Sequence, residues 1–288
     1  MPSRRDFIKQ SAVFSAGILV SRDFFAAEQR KVGIQLYTLR NEMAKDPKGS
    51  LEKLAGLGYK EVETFGYADG KWWGMSAAEL RSVLAQNGLV SPSGHCFPGG
   101  YYFNKNWEDG WKKAVDDART LGQQYIVMPW LEEKYRRPVD RFKYLADELN
   151  KAAQISKAAG LQMAYHNHDF EFARQQGQTG YEILLKETDP SLLQFELDIY
   201  WAEKAGYDPV ALFNAHPGRF PLWHVKDMDK TARHFFTEVG NGVINFKSIF
   251  AKAKESGMRH FFVEQDECPG SPFESIAQSI TYLKKNIL

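Results

Sequence analysis

The sequence predicts an α/β fold in which residues 31–288 form one closed (β/α)8 TIM barrel. Helical segments alternate with short apolar runs throughout this region, and several of the helices end in a glycine. Eight such runs fit within about 255 residues, which is the usual length of a complete barrel of this type. Alternating strands and helices produce a parallel sheet, because each helix carries the chain back across the sheet.

Five of the predicted strands directly follow a helix that ends in glycine. Glycine readily adopts the left-handed backbone conformation that closes a helix. The runs that follow are β-branched or aromatic and have the length of a buried strand, so they are predicted to be strands two, three, four, five and eight. The helix before the eighth strand is predicted to run unbroken over residues 245–257. The five glycines are Gly58, Gly88, Gly122, Gly160 and Gly257.

Three further strands complete the predicted barrel, and they lie near Val32, Leu193 and Pro221. Segments with helical spacing lie between the strands. One begins at Ser76, a residue suited to cap a helix, and a long amphipathic one covers residues 140–160. An open, doubly wound sheet is the alternative fold. It is disfavoured because no glycine-rich phosphate-binding sequence follows the first strand.

The charge of the chain argues against a nucleic-acid partner. Lysine and arginine number 37 against 36 acidic residues, which gives a formal net charge of +1. A protein that binds nucleic acid through bulk charge would be more basic. The two cysteines, Cys96 and Cys268, provide neither a disulfide framework nor zinc-finger spacing. We therefore expect a small-molecule partner and no nucleic acid.

Residues 1–30 are predicted to be a twin-arginine export signal and not part of the fold. Arg4 and Arg5 precede Phe7, and a short, weakly apolar segment follows over residues 11–20. That segment is too short to span a bilayer comfortably. The combination is similar to a twin-arginine signal, and a disordered basic tail is the alternative. We expect the protein in the periplasm or outside the cell, without stable membrane association after cleavage.

Polar side chains stand at the carboxyl ends of the predicted strands. In TIM barrels the active site lies at that end of the strands, so these residues are the candidates for chemistry. A purely structural arrangement would scatter such groups over the loops. The residues are Glu63, His95, Trp130, His166, His168, Glu196, Asp198, His224, Lys226, Glu264 and Asp266.

Four of these residues are predicted to bind a divalent metal ion. His166, Asp198, His224 and Glu264 end strands five to eight, so they would approach an ion from one side and leave positions open for a substrate. Each histidine alone is as well explained by a structural hydrogen bond, but four donors at matching strand ends favour metal. This donor set does not discriminate between Mn, Zn, Co, Fe and Mg.

Other strand-end residues are predicted to contact the substrate. His168 shares a strand face with His166 and lies nearer the mouth, where it contacts a substrate hydroxyl, exchanges a proton or packs a loop. Lys226 either binds a substrate anion or forms a salt bridge to Asp198 or Glu264. Substrate contacts are further predicted for Glu63, His95, Trp130 and Trp201.

Five segments together resemble a known family. The segments VGIQLYTLR, YHNHDFEF, FELDIYWAEKAG, WHVKD and FVEQDE look like those of the sugar phosphate isomerase/epimerase group of xylose isomerase-like TIM barrels. The resemblance covers nearly all of residues 31–288. It implies that Asp198, His224 and Glu264 bind metal. Where the epimerases carry a strand-five glutamate, this chain has His166, with His168 or Glu171 as rival ligands.

The resemblance also implies proton transfer beside a metal-polarised carbonyl of a sugar. Family epimerases are thought to use their strand-five and strand-eight glutamates as ligands and as a proton-moving pair. With His166 at strand five, one such base is missing, and the proton chemistry falls to Glu264, His168 or Lys226, with Glu63 as a further candidate. The resemblance implies an isomerase or epimerase. A metal-dependent lyase, dehydratase or hydrolase of a keto-sugar or keto-glycoside is the alternative, and elimination fits the altered ligand set as well.

Two further alternatives remain open. An exported barrel that binds carbohydrate without turnover would keep the same pocket. An apurinic endonuclease shares the barrel, but it needs a richer zinc ligand set than Glu63 and Trp201 provide, and the balanced charge disfavours DNA. Export makes sugar phosphates poor substrates and favours free or oxidised sugars. Related barrels often form dimers or tetramers, so a homo-oligomer is expected.

Overall fold

The structure is a computed structural model that describes residues 30–97 and 106–288. The predicted export signal falls on residues 1–29 and Arg30, so almost all of it lies outside the described residues. The description that follows concerns the compact unit Lys31–Leu288.

Eight parallel strands form the wall of the barrel, and a separate antiparallel hairpin follows the seventh of them. The strands are β1 (Gly33–Gln35), β2 (Glu61–Thr64), β3 (Val90–Gly94), β4 (Tyr125–Met128), β5 (Gln162–His166), β6 (Leu193–Asp198), β7 (Leu222–Val225), β8 (Asp227–Met228), β9 (Phe236–Thr237) and β10 (His260–Val263). The wall has the order β3-β2-β1-β10-β7-β6-β5-β4, and the hairpin consists of β8 and β9.

The wall is joined between β3 and β4 by contacts just beyond the end of β3. His95 forms a parallel bridge with Val127, and the backbone N–H of Cys96 donates a hydrogen bond of 2.8 Å to the carbonyl of Val127. The predicted (β/α)8 barrel is therefore confirmed, with a nearly closed ring of eight parallel strands.

Helices alternate with the strands and cover the outside of the wall. Ser76 caps one of them with a complete capping box with Glu79, as the sequence predicts. None of the helices in the described ranges is both long and apolar enough to span a membrane. The helices are α1 (Arg40–Lys45), α2 (Pro47–Leu57), α3 (Ala77–Gln86), α4 (Trp107–Leu121), α5 (Arg141–Ala158), α6 (Gly180–Glu187), α7 (Ile199–Lys204), α8 (Pro209–Ala215), α9 (Phe246–Phe250), α10 (Ala253–Ser256) and α11 (Pro272–Asn286).

One helix differs from the sequence prediction. The unbroken helix expected over residues 245–257 is interrupted, because α9 ends at Phe250 and α10 begins at Ala253. The short α10 then ends at Gly257, whose φ of 83° provides the left-handed closure that the sequence predicts. Apolar spacing alone could not reveal the interruption, because the buried residues Phe246, Ile249, Phe250 and Ala253 keep helical spacing across it.

A layer of apolar side chains fills the barrel beneath its mouth. Val127, Ala164, Leu222 and Phe262 form a cluster with no solvent exposure. Alternate residues of a strand share a face, so the residues two positions further along three of these strands stand above this layer. Those residues are His166, His224 and Glu264. The apolar layer therefore forms a dry floor for the polar groups at the mouth.

Close packing of Gly33 against the floor residue Phe262 leaves no room for a side chain at position 33. A Cβ atom added there would lie 2.5 Å from Phe262 Cδ1 and 2.7 Å from the carbonyl oxygen of Phe261. We expect Gly33→Ala to lower the free energy of unfolding by about 1–3 kcal/mol, because an overpacked core forces its neighbours to shift. Urea denaturation would measure the loss.

Gly56→Ala is the matched control. Gly56 lies in α2, and a Cβ there would have no neighbour within 4 Å. Alanine is preferred to glycine within helices by about 1 kcal/mol, so this variant should be as stable as the parent chain or more stable. Equal stability of the two variants would contradict the proposed packing constraint.

Candidate metal and substrate site

Ten polar side chains converge at the mouth of the barrel in two layers. The deep layer lies on the apolar floor. The rim layer stands two residues further along the same strands, except for Glu264, which follows the floor residue Phe262 by two and is grouped with the rim because it pairs with Lys226. The deep layer consists of Glu63, His95, His166, Glu196 and His224. The rim layer consists of His168, Asp198, Lys226, Glu264 and Asp266.

Two carboxylates hold the deep layer together. Glu196 Oε2 lies 2.8 Å from His95 Nε2, 2.9 Å from His166 Nδ1 and 3.1 Å from His224 Nε2. Glu63 Oε2 lies 2.6 Å from the same His224 nitrogen and 3.1 Å from His95 Nε2. Both carboxylates and His224 have no solvent exposure. Three imidazoles therefore surround two fully buried acids.

The rim layer is organised around one ammonium group. Lys226 Nζ lies 3.0 Å from Asp198 Oδ2, 2.7 Å from Glu264 Oε2 and 3.1 Å from Asp266 Oδ1. His224 connects the layers, because its Nδ1 lies 2.6 Å from Glu264 Oε2 while its Nε2 faces the deep carboxylates. The ring thus presents one nitrogen to each layer.

The electrostatics of the rim follow from this ammonium. Burial alone would lower the pKa of Lys226, but the attraction of Asp198, Asp266 and Glu264 outweighs it and raises the pKa well above its usual range. Burial would raise the pKa of Glu264, but Lys226 and His224 hold it well below its ordinary value. Burial raises the pKa of Asp266 to about 6. Lys226 is therefore charged at neutral pH, and so is Glu264.

The histidines divide into two electrostatic groups. Burial lowers the pKa of His166 and of His168, and neighbouring positive groups lower both further, so both rings are neutral at neutral pH. Burial would also lower the pKa of His95, but Glu63 and Glu196 raise it to about 9. A neutral imidazole is the form that binds metal ions.

The four residues predicted to bind metal come together. His166 Nε2 lies 3.7 Å from Asp198 Oδ2, and His224 Nδ1 lies 3.9 Å from the same oxygen and 2.6 Å from Glu264 Oε2. Their role as ligands stays a prediction. Lys226 forms the salt bridges to Asp198 and Glu264 that the sequence left open as its alternative role.

His168 lies at the rim and is held there by its neighbours. Its ring centroid lies 5.1 Å from that of His166, 5.6 Å from that of Phe170 and 5.5 Å from that of Trp201. Its backbone N–H donates to Glu171, and its buried Nδ1 has no hydrogen-bond partner. The ring is therefore fixed in place with one nitrogen available.

Other predicted residues lie in different surroundings from those expected. Glu63 lies beneath the mouth, where Gln35 Nε2 and Ser93 Oγ donate hydrogen bonds to it. That placement favours a role in orienting His224 over a contact with substrate. The rival ligand Glu171 accepts hydrogen bonds from the Tyr165 hydroxyl and the His168 N–H, so both of its oxygens are engaged.

The two predicted tryptophans contact basic side chains of the protein. The Arg136 guanidinium lies 5.1 Å from the ring centroid of Trp130. The Lys204 ammonium lies 4.7 Å from that of Trp201. Both tryptophans are partly exposed. Their predicted stacking on a sugar stays a prediction.

Sequence reasoning left two acidic residues of the mouth without a role. Glu196 precedes Asp198 by two residues, and Asp266 follows Glu264 by two. Alternation along a strand places each pair on one face, so this signal was present in the sequence. The alternation does not show how far below the mouth each side chain meets its neighbours.

The donor chemistry of the mouth fits a divalent ion. Two sets of donor atoms lie within 4.8 Å of one another: one from His95, His166, Glu196 and His224, and one from Asp198, His224 and Glu264. Glu196 Oε1 and Asp198 Oδ2 are buried and accept no hydrogen bond, although Lys226 Nζ lies near the latter. A buried carboxylate oxygen without a hydrogen-bond partner needs an explanation, and a bound ion would provide one.

Comparison with known proteins agrees with this architecture. The family model described as xylose isomerase-like TIM barrel matches residues 51–286. An inosose dehydratase from Geobacillus kaustophilus is 27% identical over 277 residues, which cover 82% of this chain and 85% of that enzyme. A second inosose dehydratase, from Clostridium beijerinckii, is 29% identical over 178 residues, 54% of this chain and 58% of that enzyme.

Solved structures extend the comparison. A sugar phosphate isomerase/epimerase from Parabacteroides distasonis is 31% identical, with a TM-score of 0.79 over 90% of this chain and 94% of that one. The IolI protein with a bound zinc atom has a TM-score of 0.70 at 16% identity, over 88% of this chain and 97% of that one, which shows a shared fold.

The rim ion pairs predict a pH-dependent stability. Lys226→Met leaves three carboxylates without their ammonium, and breaking a buried ion pair costs about 3–5 kcal/mol. The pKa of Glu264 is lowered in the folded chain, so the stability it provides is present above its ordinary pKa of about 4.3 and is lost as the pH falls below that value. The deficit of the variant should therefore shrink between pH 5 and pH 3.

Urea denaturation at the two pH values measures this deficit. Lys112→Met is the control, because the pair of Lys112 with Asp109 is exposed and should contribute less than about 1 kcal/mol. A Lys226→Met deficit that stays constant or grows in acid would contradict the assigned ion pairs.

Proposed function

Because this chain belongs to the xylose isomerase-like TIM-barrel family, we propose that it is a metal-dependent enzyme that moves a proton next to a carbonyl of a sugar or sugar derivative. That it is an enzyme follows from its relatives, which are dehydratases and isomerase/epimerases along most of its length. The observation that carries the proposal is the convergence of imidazoles and carboxylates on a dry floor at the mouth of the barrel.

The ligands proposed for the ion are His166, Asp198, His224 and Glu264. Two imidazoles and two carboxylates provide both affinity and two negative charges to offset a divalent ion. If Asp198 and Glu264 bound a metal ion, Lys226 could still keep its ion pair with Asp266. The zinc atom bound to the IolI protein, which shares this fold, supports a divalent ion here as well. When bound, such an ion would polarise a substrate carbonyl and stabilise the negative charge of an enolate.

The residues of the chain would carry the proton steps. His168 is neutral and has a free Nδ1, so it can accept a proton from a carbon beside the carbonyl. Lys226 is charged and can donate a proton or a hydrogen bond to an oxygen on which negative charge develops. Glu264 is ionised and can orient the substrate or exchange a proton. Trp130, Trp201 and His95 are proposed as substrate contacts.

Dehydration is the second candidate reaction. A base such as His168 and an acid such as Lys226 also suit the removal of a proton from carbon and of hydroxide from its neighbour. The similarity to inosose dehydratases over 277 residues favours it. Since inososes are keto-polyols, a keto-sugar or keto-polyol is the proposed substrate class for either reaction. A hydrolase of keto-glycosides and an exported carbohydrate-binding barrel without turnover remain as alternatives.

We further propose that residues 1–30 direct the protein through the twin-arginine pathway to the periplasm or beyond. The adjacent Arg4 and Arg5 with the following apolar segment support this. An unphosphorylated sugar substrate then follows, since sugar phosphates are mainly cytoplasmic. A homo-oligomer is also proposed, without stable association with membranes and without a nucleic-acid partner.

Proton exchange in heavy water tests the proposed function. Metal-loaded protein would be incubated with a panel of keto-sugars and an inosose, and deuterium at carbon would be followed by NMR. We expect exchange or product with at least one compound, its loss on metal removal, and a fall of about 10²–10⁴-fold in Glu264→Gln, because that carboxylate acts at the reacting centre.

Glu61→Gln is the matched control. Glu61 lies at the opposite end of β2 from the mouth and pairs with His260 at 2.7 Å, away from the proposed ligands. Its activity and metal content should match those of the parent chain. Full turnover by metal-free protein would contradict the proposal. Sugar binding without turnover for any compound would instead support the binding barrel.

A further inference from the structure

The deep layer contains a donor set that the proposed rim ligands do not explain. His95, His166, Glu196 and His224 come from four strand ends, and three imidazole nitrogens approach Glu196 Oε2 at 2.8, 2.9 and 3.1 Å. All four donors lie within 4.8 Å of one another. His95 and Glu196 belong to this set alone.

Three of the six separations among these donors, those from Glu196 Oε2, are close to the separations around a four-coordinate ion. Bonds of about 2.0–2.1 Å to nitrogen or oxygen place tetrahedral ligands about 3.3 Å apart. The three observed separations are shorter by a few tenths of an ångström, so a small outward turn of the side chains opens the space. Glu196 Oε1 is buried and has no hydrogen-bond partner, so this carboxylate is not satisfied by the protein alone.

The two carboxylates of the deep layer need positive charge beside them, which either protonated imidazoles or a bound metal ion would provide. Glu63 and Glu196 have no solvent exposure, and buried charges are costly unless paired. In residues 30–97 and 106–288, no lysine or arginine forms an ion pair with either of them, whereas Lys226 neutralises part of the rim. Three imidazole nitrogens face the single oxygen Glu196 Oε2, and a metal ion bound among them would account for this convergence.

We propose that His95, His166, Glu196 and His224 form a divalent-ion site of their own, beneath the rim set. Three imidazoles and one carboxylate suit Zn²⁺ or Co²⁺ better than Mg²⁺ or Ca²⁺, which prefer oxygen ligands. The deep site uses His166 Nδ1 and His224 Nε2, while the rim set uses the opposite nitrogen of each ring. Because a neutral imidazole has one free nitrogen, filling both sites at once would release the remaining ring proton and make each ring a bridging imidazolate. This inference does not rest on the proposed reaction.

Cobalt binding to a chain without rim carboxylates tests the deep site. Asp198→Asn/Glu264→Gln removes the two carboxylates of the proposed rim set and leaves all four deep donors. We expect this double variant to bind one equivalent of Co²⁺ with the visible absorption of four-coordinate cobalt. Adding His95→Gln or Glu196→Gln should raise Kd by about 100-fold or more, since even outer partners of ligands contribute 10–100-fold.

His216→Gln in the same background is the control, because His216 follows α8 ahead of β7 and belongs to neither donor set. It should leave cobalt affinity unchanged. Absence of cobalt binding in a folded double variant would overturn the deep site, and so would equal affinities with and without His95. Thermal denaturation would verify that each variant is folded.

If the double variant does not fold, His95→Gln in the otherwise unchanged chain provides the test. We expect it to lower the cobalt stoichiometry or raise Kd by at least tenfold, while an unchanged titration would overturn the deep site. Loss of turnover with cobalt binding intact in Glu264→Gln would support both sites. Loss of all cobalt in Glu264→Gln, with none lost in His95→Gln, would leave the proposed function standing and remove the deep site.

Discussion

The mouth of this barrel depends on the neutralisation of buried negative charge around His224. Five carboxylates lie there, and within the described part of the chain Lys226 is the one lysine or arginine that pairs with them. An uncompensated buried carboxylate is too costly for a folded protein to retain without reason. Burial raises the pKa of Glu196 and of Asp198, while contacts with cationic groups lower that of Glu264. The arrangement is therefore stable only with protons or a metal ion as further positive charge.

The barrel produces this arrangement through strand alternation and a dry floor. Inward positions carry Ala164, Leu222 and Phe262 at one level and His166, His224 and Glu264 two residues later, so the polar groups stand on an apolar layer. Exclusion of water strengthens each electrostatic contact above the floor. His224 then meets carboxylates with both of its nitrogens, which couples the deep layer to the rim.

Much of the fold and part of the site could be predicted from the sequence, for identifiable reasons. Glycine closures followed by apolar runs predicted the strands, and the strand ends named His166, Asp198, His224 and Glu264 as neighbours. The depth of each side chain below the mouth could not be predicted, because it depends on how neighbouring strands pack against one another. Glu63 is an example, because it is predicted as a substrate contact, which stays a prediction, and lies buried against His224. The break between α9 and α10 was missed because both halves bury the same face.

The central claim is that a divalent ion completes the charge at this mouth. Crystals grown with saturating Mn²⁺ or Zn²⁺ and measured at the absorption edge of the metal would test it through anomalous scattering. The account predicts an anomalous peak about 2.0–2.3 Å from a nitrogen of His224, with carboxylate oxygens completing the coordination. An ordered mouth without an anomalous peak, with Lys226 and protonated imidazoles compensating the carboxylates, would contradict it.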